Sequence, residues 1–140
     1  MSVILSQMTY VFALLATIGL LIACTPKGQE ISKAPAGALE YINVDTRLMK
    51  PELVNMVVTL RNPRTPNDVL AYVECAAAQY TLIRGYGFAG RIQINVTEED
   101  KGIWAGNAIY TLSNAHPGGR HTIDAEVTVE NCTAHNIPMV

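Results

Sequence analysis

Three cysteines and three histidines are the side chains of this 140-residue chain best suited to bind a metal, exchange electrons or move protons: Cys24, Cys75 and Cys132, with His116, His121 and His135. Cys132 and His135 stand three residues apart, which suits two zinc ligands, and Cys75 would be a third. No fourth ligand stands at a standard spacing, so no metal is assigned. His116 and His121 flank the turn Pro117-Gly118-Gly119, with no carboxylate or thiol spaced to orient an imidazole for proton transfer. Gly85-Tyr86-Gly87-Phe88-Ala89-Gly90 spells G-x-G-x-x-G. The dinucleotide fingerprint needs a strand before that motif and a helix after it, whereas the periodicity here gives a helix first. Phosphates would meet the wrong end of the helix dipole, and no nucleotide is expected. No serine lies in a nucleophile-elbow context, and Glu98-Glu99-Asp100 reads as a solvated hairpin turn. No catalytic residue and no cofactor follow from these side chains.

Cys24 is set apart by what precedes it. Tyr10 to Ala23 is an uncharged run, YVFALLATIGLLIA, and every Lys, Arg, Asp and Glu lies beyond Cys24. Such a run has the length of a signal-peptide core and falls short of the roughly 20 residues that a membrane-spanning helix needs. Leu21-Ile22-Ala23-Cys24 resembles the bacterial lipobox, in which a leucine, a tolerant position and a small residue precede a cysteine. The resemblance implies diacylglyceryl transfer to the Cys24 sulfur, cleavage between Ala23 and Cys24, and acylation of the new amino terminus. Two or three acyl chains hold a protein firmly at a membrane, where one holds it marginally. MSVILSQMT departs from the signal-peptide pattern in having no Lys or Arg. Thr25 stands where an aspartate would resemble an inner-membrane retention signal, so the expected location is the outer membrane, facing the periplasm. The expected divisions are a signal peptide over residues 1–23, a lipidated tether over 24–50 and a small domain over 51–140 that is similar to small envelope lipoproteins.

With Cys24 lipidated, Cys75 and Cys132 remain. An exported chain resides where disulfides form and persist, so a bridge is expected, the alternative being two buried thiols. The bridge would close a loop of about 58 residues, worth roughly 4 kcal/mol in the chain-entropy model. A net charge of -2 and a pI near 5.9 provide no basic stripe, so nucleic acid is not an expected partner.

The elements that must position these residues follow from periodicity. TPKGQEISKAPAGA, residues 25–38, has the composition of a tether, and residues 39–47 carry only a weak strand pattern. Leu53 to Arg61 alternates Val54, Met56, Val58 and Leu60 on one face of a strand, with a short helix started by Pro51 and Glu52 as the rival reading. Thr65, Pro66 and Asp68 form a helix start as N-cap, N1 and N3. The run through Arg84 places Val69, Val73, Ala76, Ala77 and Tyr80 on one face, and Gly85 ends it. Three strands are expected next. Phe88 to Thr97 sets Phe88, Gly90, Ile92, Ile94 and Val96 against Arg91, Gln93 and Asn95. Ile103 to Ser113 has Trp104, Ala108, Tyr110 and Leu112 on one face, and Thr122 to Glu130 has Ile123, Ala125, Val127 and Val129 inward.

The expected fold is α+β: an antiparallel sheet of three to four strands with one helix packed on one face, in the order β-α-β-β-β. In it Cys75 and Cys132 would clip the helix to the sheet. Tyr86 and Trp104 are the candidates for an exposed contact patch. The function expected is that of a non-enzymatic protein-interaction module, anchored to the membrane through lipid on Cys24 and binding an envelope protein. The alternative is a small-ligand carrier with a pocket between helix and sheet, lined by Tyr80, Trp104 and Tyr110.

Overall fold

The computed structural model describes residues 36–140; the apolar run, Ala23, Cys24 and the tether as far as residue 35 lie outside the described residues. Seven elements follow in order: β1 (Glu40–Lys50), β2 (Leu53–Arg61), α1 (Pro66–Ile83), β3 (Phe88–Asp100), β4 (Ile103–Ser113), β5 (Thr122–Asp124) and α2 (Ala125–Ala134). The strands make one antiparallel sheet in the order β1-β2-β4-β3-β5. The class is α+β as the sequence implies, but with five strands and two helices in place of three to four strands and one helix. Among the described residues no helix is long and apolar enough to cross a membrane.

β2 and β4 are the central strands, and strict alternation explains them. Val54, Met56, Val58 and Leu60 of β2 are fully buried against α1, as are Ala108 and Tyr110 of β4. α1 starts where its capping residues direct. The Asp68 carboxylate accepts the backbone N–H groups of Arg64 and Thr65 at 2.8 and 3.3 Å and pairs with the Arg64 guanidinium at 3.0 Å. The Arg64 hydrogen bond holds this carboxyl below its ordinary pKa despite some burial. At the other end Gly85 takes φ +80, its N–H reaches the Leu82 carbonyl and the Tyr86 N–H reaches Thr81. That pair of bonds is the Schellman ending, which glycine adopts without a Cβ penalty. The middle of α1 lies close on β4. A Cβ added at Gly106 would sit 2.7 Å from Val69 Cγ1 and 3.2 Å from Val58 Cγ2, so only glycine fits there without movement.

Glu98 to Asp100, expected as a turn, are the last residues of β3, and three further segments differ from the sequence expectation. β1 is a full edge strand and extends through Lys50, so the folded part takes in residues assigned above to the tether. Tyr41 packs edge-on against Tyr72 of α1 with ring centroids 4.8 Å apart, and Arg61 pairs with Glu40 across the hairpin at 3.4 Å. β3 carries a bulge at Ile92, because Arg91 pairs with Tyr110 while Gln93 pairs with Ile109. The extra residue inverts the alternation: Ile94 and Val96 face α1, whereas Phe88 and Gly90 face away and Ile92 is 61% exposed. It also turns Arg91 toward the helix.

The third difference is at Thr122 to Glu130, where only Thr122–Asp124 are strand. Asp124 caps a helix, its carboxylate accepting the N–H groups of Glu126 and Val127 at 3.1 and 3.2 Å. The period-two pattern competes with a helical one, and Ala125, Thr128, Val129 and Cys132 form an i, i+3, i+4, i+7 stripe that is buried or half-buried. Val127, expected inward, is 54% exposed. Tertiary packing against α1 decides the contest over the β-branched propensity of the segment.

Candidate functional site

Cys75 in the middle of α1 and Cys132 near the end of α2 form a disulfide with a Cα–Cα distance of 5.9 Å, each residue 3% exposed. The bridge therefore clamps helix to helix, and the expected clip from helix to sheet is replaced by it. α2 ends with Asn136 at φ +54, where the N–H groups of Asn136 and Ile137 reach the carbonyls of Thr133 and Cys132. This second Schellman ending lays Ile137 back on the core. A recess of about 250 Å³ between the helices is lined by Glu74, Asn131 and His135 as well as both cysteines.

The bulge at Ile92 builds a polar cluster that alternation alone does not reveal. Arg91 Nη1 donates to Glu74 Oε1 of α1 at 2.8 Å, and Nη2 donates to His121 Nδ1 at 3.1 Å. The Arg91 side chain is only 10% exposed. Tyr110, its neighbour on β4, is fully buried with no partner for its hydroxyl, and burial raises its phenol pKa well above the ordinary value. Chemically this cluster is a brace between α1, β3 and the segment before β5. The partner of His121 Nδ1 is the Arg91 guanidinium and not a carboxylate that would orient the ring for proton transfer. The other histidines are tied locally. His116 Nδ1 accepts the Gly118 N–H at 3.1 Å, and His135 Nδ1 donates to the Asn131 carbonyl at 2.7 Å. Among the described residues no group of three or more His, Cys, Asp or Glu is placed to hold a metal ion.

The face of the sheet away from α1 is the open one. Register sets Arg47, Asn55, Ile109 and Gln93 side by side across β1, β2, β4 and β3, and sets Asp45, Val57, Asn107 and Asn95 in the next row. The first row, with Asn95 and Asn107 of the second and Met49 of β1, lines a groove of about 440 Å³. Asn55 Nδ2 donates to Asn107 Oδ1 at 2.6 Å and to the Ala108 carbonyl at 3.2 Å, which fixes both amides. Gln93, Asn95 and Asn107 are exposed. The two charges of these rows pair with each other, Arg47 Nη2 to Asp45 Oδ2 at 3.2 Å. At the β5 end, Pro117 of the β4–β5 loop sits over Gly90, where an added Cβ would lie 3.5 Å from Pro117 Cγ.

Among the described residues singled out from sequence, only Cys75 and Cys132 are brought together. Tyr86 and Trp104 are both half-buried against the core. They sit at opposite ends of the β3–β4 pair, since Ser113 faces Phe88 at one end and Trp104 faces Glu98 at the other. Nine residues of extended strand separate those ends by roughly 30 Å, so the two aromatics do not form one patch. The helix–sheet interior expected around Tyr80, Trp104 and Tyr110 is occupied by Tyr110 itself and by the close approach of Val69 to Gly106. The groove on the open face has no signal in any single strand, because its carboxamides come from three strands and meet only through register. No curated protein matches the chain, and no solved structure matches it. Residues 41–136 match the family profile of the YNQ4 C-terminal domain, a stretch running from within β1 to just past α2, and the chain belongs to that family.

Proposed function

We propose that this chain is a lipid-anchored protein of the cell envelope, held at the outer membrane through Cys24 and facing the periplasm, and that its domain acts by binding another envelope component without catalysing a reaction. The observation that carries the reading is the Cys75–Cys132 bridge. Disulfides persist in exported proteins and are scarce in reducing compartments. This one takes up both cysteines of the folded part and leaves Cys24, in its lipobox-like setting, for the anchor. Binding is supported by the open face, where exposed amides are held in register on rigid strands. The alternative of a small-ligand carrier moves with it, from the filled helix–sheet interior to the 440 Å³ groove.

Intact mass of the protein taken from a membrane fraction, with and without reductant, tests the anchor. The expected species begins at Cys24, is heavier by its acyl groups and gains two hydrogens on reduction. An unprocessed chain without lipid overturns the anchor, and Cys24→Ala should then leave the membrane-bound fraction unchanged.

A further inference from the structure

We infer that the open face binds a neutral carbohydrate, laid across the rows that hold Asn55, Gln93, Asn95 and Asn107. The inference deepens the binding reading above and rests on it, though not on the lipid anchor. Its first support is the arrangement of the groove. Ile109 lies in a central strand with a carboxamide on either side of it, Asn55 of β2 and Gln93 of β3. A pyranose offers a patch of C–H groups and a rim of hydroxyls, each both donor and acceptor. A carboxamide matches such a rim because its donor and its acceptor share one plane.

Charge is the second support. Arg47 and Asp45 are the only ionised groups of the two rows and they pair at 3.2 Å, so a charged ligand would find no free counter-charge there. Of the side chains that line the groove, only Arg47 and Met49 are of types enriched at protein interfaces, and none is aromatic. Size is the third support, since about 440 Å³ lies within the range of small-ligand clefts. Two of the four amides come pre-ordered, since the 2.6 Å bond from Asn55 to Asn107 fixes them before any ligand arrives. Those two lose less conformational freedom on binding.

The test is a titration of the ¹⁵N-labelled protein with chitotetraose and, separately, with maltotetraose, following the side-chain amide resonances. The expected result is saturable shifts of Asn55, Gln93, Asn95 and Asn107 with at least one of the sugars, while Asn131 in the helix recess stays unmoved. The double variant Asn95→Ala/Asn107→Ala should weaken the binding roughly tenfold or more. Its thermal midpoint, measured alongside, shows that the fold is intact. Absence of amide shifts with both sugars overturns the inference, as does binding that centres on the helix recess or survives in the double variant. A photo-crosslinker placed at Thr97, on the same face, separates this failure from that of the binding reading. Repeated capture of one envelope protein with no sugar response sinks the carbohydrate alone, whereas neither capture nor sugar response sinks both.

Discussion

On the side facing α1, β4 presents Trp104, Gly106, Ala108, Tyr110 and Leu112; on the other side the same strand presents Ala105, Asn107, Ile109 and Thr111. The first set fits a helix, with glycine where Val69 comes close and a fully buried tyrosine four residues on. The second set carries no charge, and Asn107 and Thr111 in it can form side-chain hydrogen bonds. One strand thus serves as core on one side and as an open polar surface on the other, and period two allows each side to be selected separately. Stability should therefore reside on the helix side, and changes on the open side should be felt in binding.

Removing the clamp on the helix side should have the largest effect. Cys75→Ala with Cys132→Ala is expected to lower unfolding free energy by about 4 kcal/mol, read as a fall of more than about 15 °C in Tm. A fall of only a few degrees would mean that α2 holds its place without the bond. Next comes Gly106→Val, which forces atoms into the space of Val69 and Val58 and should cost about 2–3 kcal/mol by urea unfolding. A neutral result would show that the two layers can separate. On the open face, Asn107→Ala loses the 2.6 Å bond from Asn55, but at an exposed position it should stay within about 0.5 kcal/mol of the parent. A larger loss would break the division of labour between the faces.

The smallest effect concerns pH. Because the folded state holds the Asp68 carboxyl below its ordinary pKa, the unfolded chain binds the more protons there, and stability rises with pH through that window. The contribution is complete above the ordinary aspartate pKa and is lost as pH falls through the folded value. Urea midpoints of Asp68→Asn should therefore depend less on pH between about 2 and 5 than those of the parent; parallel curves would refute the assignment.

Local signals made α1, β2 and β4 legible. Thr65-Pro66-Asp68 and Gly85 mark both ends of α1, and uninterrupted alternation marks the two strands. The bulge at Ile92 is not legible in this way, since a single unpaired residue leaves no mark on composition yet reverses every side chain before it relative to those after it. α2 was open to two readings because Ala125 to Cys132 satisfies period two and period 3.6 at once, and only the α1 surface beneath it decides. The disulfide is an expectation that depends on assigning Cys24 to lipid and leaves two buried thiols as the alternative, and its geometry as a helix-to-helix clamp is not legible. The carboxamide rows could not be read at all without strand order, because they depend on which residue of β2 meets which residue of β4 and β3.

Strand order also sets the way the chain must assemble. β1–β2 and β3–β4 are hairpins with two residues at each turn, Pro51-Glu52 and Lys101-Gly102. Hairpins of this kind close within microseconds in isolated peptides. The β2–β4 seam joins strands separated in sequence by α1 and β3, so its pairing must wait for the costlier closure of a long loop. Folding becomes two fast local events and one slow docking event. The residues that set its pace are then those of the seam, Val58 opposite Gly106, and not those of either turn. Stopped-flow refolding of the Gly106→Val variant should be slowed accordingly, in a way that equilibrium unfolding alone does not reveal.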